Sequence, residues 1–599
     1  MLALNDALSG IRIPSTNNTG SVTKRRSLQH NDLMKMGDDN EEDDNAYRRR
    51  VYGKIVDDPD SSSSSSSSLL SSRRGRSKDT IESGSFRKFS KRMSQSLIRR
   101  SSSVKESLPD TPAGWSLLLC ATMSAVLAYE VRLQNSLTHP PVTFCQLGEG
   151  GFIERIYRKL RTEVPDIDGN NNGTSNILSR SIQPSLFVGT RGLMSSTMAY
   201  LKGGPSSASK KKYVRFREIF DMPQDGARIA VDWEFTQNLK DEDEVSQSGI
   251  EWKRQKLRHP VVIILHGINN DSSFGYMKSL SRAFCNQGYI SASMNFRGCG
   301  GLKLTTPRGY NAAYTGDLRS LVRQISVRLE KDVPIFLVGS SLGANIMTKY
   351  LGEECMMGTL PSCVSGAAGL GNPLRIDSTT VKFPFNVLLA LGIKKIFLEN
   401  IKSIYGMKDS YSKQKIRQAL LAPTIGEFDD VAAPISIRND THYPFGIEIG
   451  YDNGAAYGFD ASSYRYIRHI SVPFLNLTAQ DDFIAGKPSR NKLGFCLSNP
   501  NVMHVETQCG GHLGWQENTP GNTFGASSWA DVAVSDFFHA IMAVKKESFE
   551  KLTRETNPIT ESKFDYPEPP VKFNREMEKS LMQAKINAMA LTTKHLSKL

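Results

Sequence analysis

The chain has 599 residues, which is enough for one large domain with appendages. Hydrophobic residues make up 39% of it, so a sizeable core can form, and the charged fraction of 23% is ordinary for a globular protein. Much of the net charge of +14 comes from short basic runs before residue 110, without any zinc-finger, RRM or homeodomain pattern. We therefore expect a solvated or membrane-apposed tail and no nucleic-acid partner. The eight cysteines show no CxxC pair, so neither a zinc site nor a disulfide framework is expected.

Both ends of the chain have the composition of tails. Residues 1–110 contain an unbroken serine tract at 61–68, acidic and basic clusters, and almost no apolar periodicity. Such a segment buries too little apolar surface to offset the entropy of ordering, so we predict that residues 1–110 are disordered. Residues 547–599 form a charged C-terminal tail, predicted to be helical or loose.

A segment of 17 uncharged residues, 113–129, follows the N-terminal tail. Seven basic residues lie between Arg87 and Lys105, shortly before it. We predict a single-pass transmembrane anchor at 111–131, and the positive-inside rule then places the N-terminal tail in the cytosol. The alternative is a buried or interfacial helix, because three polar residues dilute the hydrophobicity: Ser116, Thr122 and Ser124.

Strands and helices alternate from Tyr213 onward, after a connecting region at 132–212. Apolar segments at 214–220 and 228–235 flank a turn and predict a β-hairpin. Short apolar runs predict buried strands at 261–265, 289–295 and 333–338, and apolar residues at helical spacing predict a helix at 317–329. This alternation predicts an α/β domain over residues 213–546, with a mainly parallel sheet and helices on both faces.

The run Gly339-Ser340-Ser341-Leu342-Gly343 fits the G-x-S-x-G pattern in one frame only, with Ser341 at its centre. Glycines at both flanks permit the tight strand-to-helix turn on which such a nucleophile sits. A predicted strand precedes the turn and a helical pattern follows it at 344–351. We therefore predict that Ser341 is the nucleophile and that the Leu342 N–H points at the developing oxyanion.

A second oxyanion donor is expected from the loop after an earlier strand. Residues 265–269 (LHGIN) follow the strand at 261–265, and the Ile268 N–H is the candidate donor. We assign a structural role to His266 in this turn, rather than that of a catalytic base.

The acid and the base are expected later in the chain, in that order. A buried strand at 472–477 exits at Asp481 and Asp482, and we favour Asp482 because it follows the small Ala479 by three residues. Asp481 stays open as the alternative. His512 lies 30 residues after Asp482 in a glycine-rich loop, and we predict that it is the base.

Several segments together resemble the membrane-anchored α/β-hydrolase-domain lipases, which are relatives of the plant embryogenesis-associated hydrolases. They are 295–301 (NFRGCGG), 304–308 (LTTPR), 310–313 (YNAA), 341–345 (SLGAN), 349–352 (KYLG), 427–430 (EFDD) and 510–512 (GGH). The resemblance covers roughly residues 213–545. It implies the α/β-hydrolase fold, a triad of Ser341, Asp482 and His512, and hydrolysis of carboxylic esters in acylglycerols or phospholipids.

The expected reaction is ester hydrolysis through an acyl-enzyme on Ser341, with no metal and no cofactor. Residues 364–465 are long enough to include a lid, and the apolar segment 383–397 could contact an acyl chain or form an ordinary core helix. Two further hypotheses remain: transfer of the acyl group to an alcohol, and a catalytically silent scaffold on the hydrolase fold. A lipid ester and a membrane are the expected partners, whereas acyl length and head group stay open.

Overall fold

The computed structural model describes residues 111–148, 151–161, 176–201, 213–237, 239, 252, 255–306, 308–377, 381–400, 410–435, 451–487, 489–519 and 522–555. The predicted disordered tail at 1–110 lies outside the described residues, as does most of the predicted tail at 547–599. The chain divides into two compact units, Met1–Phe538 and His539–Leu599. In the second unit, the described residues are the C-terminal part of one helix, Trp529–Glu555.

One sheet organises the first unit. Its strands are β1 (Val142–Phe144), β2 (Tyr213–Met222), β3 (Ala227–Thr236), β4 (Val261–Leu265), β5 (Ile290–Asn295), β6 (Ile335–Ser340), β7 (Val364–Leu370), β8 (Phe474–Ala479) and β9 (Val502–Thr507). Their order across the sheet is β1-β9-β8-β7-β6-β4-β5-β3-β2. The run from β9 through β8, β7, β6 and β4 to β5 is parallel, whereas β1 on β9, β3 on β5 and β2 on β3 are antiparallel. The predicted mainly parallel sheet is confirmed. Strands β10 (Gln516–Thr519) and β11 (Asn522–Ser528) pair separately.

The helices are α1 (Pro112–Leu137), α2 (Phe152–Arg161), α3 (Gly192–Leu201), α4 (Gly275–Asn286), α5 (Gly316–Ser326), α6 (Leu342–Met357), α7 (Phe385–Glu399), α8 (Ser410–Leu421), α9 (Ile425–Ala432), α10 (Gly454–Ala461), α11 (Arg490–Leu497) and α12 (Trp529–Glu555). Three short 3₁₀ turns lie at Ala433–Ile435, Ser463–Arg465 and Ile467–His469. The insertion between β7 and β8 contains α7 to α10.

Strand β6 shows that helices pack on both faces of the sheet. Leu337 belongs to the large hydrophobic core that also contains Met347 of α6. Its neighbour Phe336 faces the opposite way, because successive side chains of a strand alternate. The Phe336 ring stacks on Phe538 at 4.4 Å between centroids, and Phe538 stacks on Phe284 of α4. The expected helical layers are therefore present on each side of the strand that leads to Ser341.

Helix α1 occupies the segment for which an anchor was predicted. Apolar side chains along it are exposed: Leu119, Met123, Val126, Leu127 and Tyr129. That exposure excludes a buried helix, one of the alternatives. Of the helices in the described part of the chain, none combines the length and apolar character needed to cross a membrane, so the anchor predicted at 111–131 is not supported. The same helix carries Glu130, whose carboxylate is buried against Arg191.

Candidate active site

Strand β6 ends at Ser340 and helix α6 begins at Leu342, which leaves Ser341 alone in the turn between them. Its backbone has φ +54° and ψ −117°, a conformation that L residues rarely adopt. The Ser341 N–H donates to the Leu370 carbonyl at 2.8 Å, which ties the turn to the neighbouring strand β7. Strain of this kind persists only where the surroundings enforce it, and it is typical of a nucleophile elbow.

Close packing explains why both flanking positions of the motif are glycine. A Cβ atom on Gly339 would lie 2.5 Å from the backbone N and Cα of Ala344. A Cβ atom on Gly343 would lie 2.5 Å from the His266 carbonyl oxygen and 2.7 Å from that of Leu265. Helix α6 therefore packs directly against strand β6 and against the end of strand β4, and the elbow leaves no room for a side chain at either position.

Three predicted catalytic side chains meet at the carboxyl edge of the parallel strands. The Ser341 Oγ lies 2.9 Å from Nε2 of His512. On the other side of the ring, Nδ1 of His512 lies 2.9 Å from Oδ2 and 3.1 Å from Oδ1 of Asp482. All three residues are buried, with relative exposures of 6%, 3% and 3%. The serine, imidazole and carboxylate thus form a continuous hydrogen-bonded chain shielded from bulk water.

The adjacent Asp481 and Asp482 have different neighbours. Besides facing His512, Asp482 accepts hydrogen bonds at Oδ1 from the N–H groups of Ile484 at 2.9 Å and Ala485 at 2.8 Å. Asp481 turns away and accepts from the Gly511 N–H at 2.7 Å. Burial raises the pKa of Asp481, although hydrogen bonds from the Gly510 and Gly511 backbone oppose the shift. Asp481 therefore contacts the loop that carries His512, and Asp482 contacts the His512 ring itself.

Ile268 and Leu342, predicted to supply the oxyanion donors, line the same cavity as Ser341. Within the described residues, neither the Ile268 N–H nor the Leu342 N–H donates to a protein acceptor. The N–H groups on either side of Ile268 are engaged: Gly267 donates to the Tyr276 hydroxyl at 2.9 Å and Asn269 to the Tyr310 hydroxyl at 3.2 Å. The loop is thus fixed at both neighbours while the central donor stays free for a ligand oxygen.

His266 is part of this loop's framework. It is fully buried, its Nδ1 donates to the Gly267 carbonyl at 2.7 Å, and its Nε2 accepts from the Phe296 N–H at 3.1 Å. Burial lowers the pKa of His266 to about 4, so the ring is neutral. Both ring nitrogens are occupied within the protein, which agrees with the structural role expected from the sequence.

A cavity of about 160 Å³ opens beside Ser341. Side chains of the insertion between β7 and β8 form much of its wall, together with Ile268: Leu389, Ile393, Phe397, Ile425 and Phe428. The apolar segment 383–397 therefore supplies part of the cavity wall through helix α7. Asp377 and Asp429 are acidic side chains of this wall. Burial raises the pKa of Asp429 to about 7, with the neighbouring Asp430 acting in the same direction. In the range that the structure covers, no cluster of three metal-ligating side chains occurs.

Contacts from before residue 213 reach the site and were missing from the sequence analysis. The His512 N–H donates to Ser196 Oγ at 2.7 Å, and the Gln516 N–H donates to Ser195 Oγ at 3.2 Å. Both serines lie on α3, in the segment treated there only as a connection. Helix α3 has no sequence motif that would have indicated these contacts. The two partners of each hydrogen bond are more than 300 residues apart in the chain and meet only in the folded protein.

A serine on a strand-to-helix elbow, followed in chain order by an aspartate and a histidine on later loops of a mainly parallel sheet, defines the α/β-hydrolase class. Similarity to known proteins points the same way. The family described as serine aminopeptidase, S33 (Hydrolase_4), matches residues 257–407. This match covers about a quarter of the chain, and it agrees with the α/β-hydrolase fold that the sheet and the elbow show.

Three relatives indicate which members it resembles. Embryogenesis-associated protein EMB8 of Picea glauca is 28% identical over 68% of this chain and 82% of its own length. Monoacylglycerol lipase of Saccharomyces cerevisiae is 31% identical over 44% of this chain and 56% of its own length, so the chain spans about half of that relative. Medium-chain fatty acid ethyl ester synthase/esterase 2 of the same yeast is 26% identical over 65% of this chain and 93% of its own length.

Proposed function

We propose that the chain is a serine carboxylic-ester hydrolase that acts on lipid esters through Ser341, His512 and Asp482. The observation that carries the proposal is the placement of the Ser341 hydroxyl, 2.9 Å from the imidazole of His512, at the wall of an apolar cavity. A base within hydrogen-bond distance activates a serine hydroxyl, and an apolar cavity suits an acyl chain.

In the proposed mechanism, His512 removes the Ser341 proton through Nε2 as Oγ attacks the ester carbonyl. The N–H groups of Ile268 and Leu342 stabilise the resulting oxyanion. His512 then protonates the leaving alcohol, and the acyl group remains on Ser341. A water molecule, deprotonated by His512, attacks the acyl-enzyme and releases the fatty acid with the serine restored. Asp482 orients the ring and stabilises its protonated form throughout.

A lipid ester is the proposed substrate because of the cavity wall and the relatives. The insertion contributes apolar groups from α7 and α9 next to the nucleophile, and the yeast relatives are named for a monoacylglycerol lipase and a fatty acid ethyl ester esterase. The proposal leaves acylglycerols and phospholipids as alternatives for the alcohol part. The insertion is also the segment proposed to act as a lid over the acyl chain.

Membrane attachment belongs to the same proposal, with helix α1 as the contacting element. Its exposed apolar side chains have relative exposures of 39% at Val131 to 64% at Met123, an unusual amount of apolar surface to leave in water. Replacing Leu119, Met123 and Val126 by serine in the full chain should abolish its flotation with liposomes. Unchanged flotation of this variant would exclude α1 as the lipid-contacting element.

Acyl transfer is the second candidate, favoured by one observation: the printed name of a relative includes both synthase and esterase activities. Both reactions share the acyl-enzyme and differ in whether water or an alcohol attacks it. Products formed from a monoacylglycerol in the presence of ethanol separate them, because transfer yields an ethyl ester and hydrolysis yields the free acid.

The decisive experiment is labelling of the full-length protein with a fluorophosphonate probe, with Ser341→Ala beside the wild type. We expect labelling of the wild type and none of the variant. Ser340→Ala is a matched control, since Ser340 is adjacent, also buried and outside the hydrogen-bonded chain. Equal labelling of wild type and Ser341→Ala would place the reactive serine elsewhere. A folded wild type without labelling would favour the silent scaffold.

A further inference from the structure

The loop that carries His512 has a strained backbone. Leu513 has φ +70° and Trp515 has φ +48°, values that residues with a Cβ rarely adopt, and Gly511 has φ +59°. Within the loop, the N–H groups of Gly514 and Trp515 both converge on the Gly510 carbonyl at 3.0 Å. These two hydrogen bonds to the Gly510 carbonyl do not involve His512 and therefore do not orient it. Strained conformations persist only where the surroundings enforce them, so contacts from outside the loop must hold the base in place.

Helix α3 supplies two of these outside contacts, one at His512 itself and one four residues after it. The His512 N–H donates to Ser196 Oγ at 2.7 Å, and Ser196 Oγ donates in turn to the Gly192 carbonyl at 2.8 Å. Four residues beyond His512, the Gln516 N–H donates to Ser195 Oγ at 3.2 Å. Both serines are buried, with relative exposures of 4% for Ser196 and 0% for Ser195. The backbone of the base is therefore hydrogen-bonded to a helix that precedes the sheet's β2 strand in the chain.

The packing between α3 and the loop leaves no space for adjustment. A Cβ atom on Gly511 would lie 2.1 Å from the Gly192 carbonyl oxygen, and one on Gly514 would lie 2.3 Å from Ser195 Oγ. On the helix side, a Cβ atom on Gly192 would lie 2.6 Å from Oδ2 of Asp481. The loop thus lies in close contact with the Gly192 carbonyl and the Ser195 hydroxyl of the helix, so a displacement of the helix would displace the loop.

The far end of α3 reaches the oxyanion loop. The Asn270 side-chain amide donates to the Tyr200 hydroxyl at 3.4 Å and to the Tyr276 hydroxyl at 3.0 Å. Tyr276 in turn accepts from the Gly267 N–H, next to the oxyanion donor Ile268. The rings of Tyr200 and Tyr276 lie 5.4 Å apart. One short helix therefore contacts both the loop of the base and the loop of an oxyanion donor.

We propose that helix α3 is a positioning element of the catalytic site, with Ser196 as the residue that holds the backbone of His512 in line with Ser341 and Asp482. This inference rests on the proposed function, since it presumes that His512 is the base. The family match begins at residue 257, well after α3, so it does not cover this helix. Helix α3, in the connecting region, would thus affect the reaction by positioning His512, without contacting the substrate.

The test is Ser196→Ala in the full-length protein, compared with Thr197→Ala on the same helix. The Thr197 hydroxyl is exposed and bonds only to the Leu193 carbonyl at 2.8 Å among the contacts described, so its loss leaves the active site unchanged. Ser196→Ala leaves the His512 N–H without its acceptor in a buried site. We expect kcat to fall about tenfold with KM within about twofold of wild type, because misplacing the base affects the transition state more than substrate binding.

Two further measurements separate positioning from simple loss of stability. Activity is expressed per site titrated with fluorophosphonate, so that unfolded protein does not count. The pH profile of kcat/KM is the second measurement, because a change in stability alone leaves it unchanged whereas a displaced base alters it. Ser195→Ala, which removes the acceptor of Gln516, should show a smaller loss in the same direction.

The outcomes are distinguishable from failure of the proposed function. If the wild type is active and Ser341→Ala is inactive, while Ser196→Ala and Ser195→Ala match Thr197→Ala in kcat per titrated site, the positioning role is overturned and the hydrolase remains. A lower melting temperature with unchanged kcat per site and pH profile also overturns it. Activity that survives Ser341→Ala would instead overturn the proposed function.

Discussion

Replacing Asp482 by asparagine should lower kcat by about 10⁴-fold, the cost of holding the histidine of a Ser-His-Asp triad in the wrong tautomer. Oδ1 of Asp482 accepts from the N–H groups of Ile484 and Ala485, so the amide oxygen of an asparagine would keep that position. The amide NH₂ would then face Nδ1 of His512, 2.9 Å from the present Oδ2. An NH₂ group cannot accept the Nδ1 proton, and Oδ1, at 3.1 Å from Nδ1, already accepts from two N–H groups. The ring would therefore carry its proton on Nε2, where it cannot receive one from Ser341.

The assay is hydrolysis of a short-chain p-nitrophenyl ester, with the melting temperature as a control for folding. The expected loss corresponds to about 5 kcal/mol of transition-state stabilisation. A single amide substitution has an effect of this size only if it alters a group at the reacting centre. Asp481→Asn is the matched comparison: its amide oxygen can still accept from Gly511, so we expect kcat to stay within about tenfold of wild type. Equal losses in the two variants, or a loss below tenfold in Asp482→Asn, would refute the assignment of Asp482 as the acid.

Three further changes test other parts of the structure. Gly343→Ala should reduce kcat/KM by more than about 100-fold or prevent folding, because its Cβ would lie 2.5 Å from the His266 carbonyl and the elbow would have to move at a cost of about 1–3 kcal/mol or more; circular dichroism and ester turnover measure both effects. Ile393→Trp should narrow the cavity and lower kcat/KM for a long-chain ester relative to a butyrate ester by about tenfold, since each buried CH₂ contributes about 0.8 kcal/mol; an unchanged ratio would place the acyl chain elsewhere. Burial raises the pKa of Asp531 from its ordinary 3.8 to about 7, so its favourable contribution is complete below pH 3.8 and is lost as the pH rises through 7. Asp531→Asn should accordingly stabilise the protein at pH 8, by up to about 4 kcal/mol, and make little difference at pH 4; a pH-independent change in melting temperature would contradict this.

Much of the sheet could be predicted because its signals are local. The β2–β3 hairpin has a turn at 223–226 and two apolar arms, and the buried runs around β4, β5 and β6 differ from the structure by no more than two residues at either end. Strand β1 was not predicted, because three residues carry no detectable period. It exists through pairing with β9, more than 350 positions later in the chain.

The candidate site was predictable where chain order and glycine context restrict it. G-x-S-x-G selects Ser341 over Ser340, and a histidine in a glycine-rich loop after an acidic strand exit selects His512 from ten histidines. The choice between Asp481 and Asp482 was not fixed by spacing, because adjacent residues leave a strand in different directions and only the folded loops determine which one meets the imidazole. The structure places Asp482 there, and Asp481 beneath the base loop.

The predicted domain boundary at residue 213 leaves out part of the candidate site, because helix α3 contacts the loop of His512 from the preceding segment, 111–201. The polar, irregular stretch before β2 indicates a linker, yet Arg191 at the start of α3 pairs with Glu130 of α1, a carboxylate with a relative exposure of 1%. The Arg191 side chain is 43% exposed, so the pair is buried on the Glu130 side only, and it connects α1 to the start of α3. Helix α3 thus has contacts in two directions: Arg191, directly before it, pairs with Glu130 of α1, and Ser196 accepts from the His512 N–H. If α1 meets a lipid surface as proposed, that surface lies within reach of the element that positions the base.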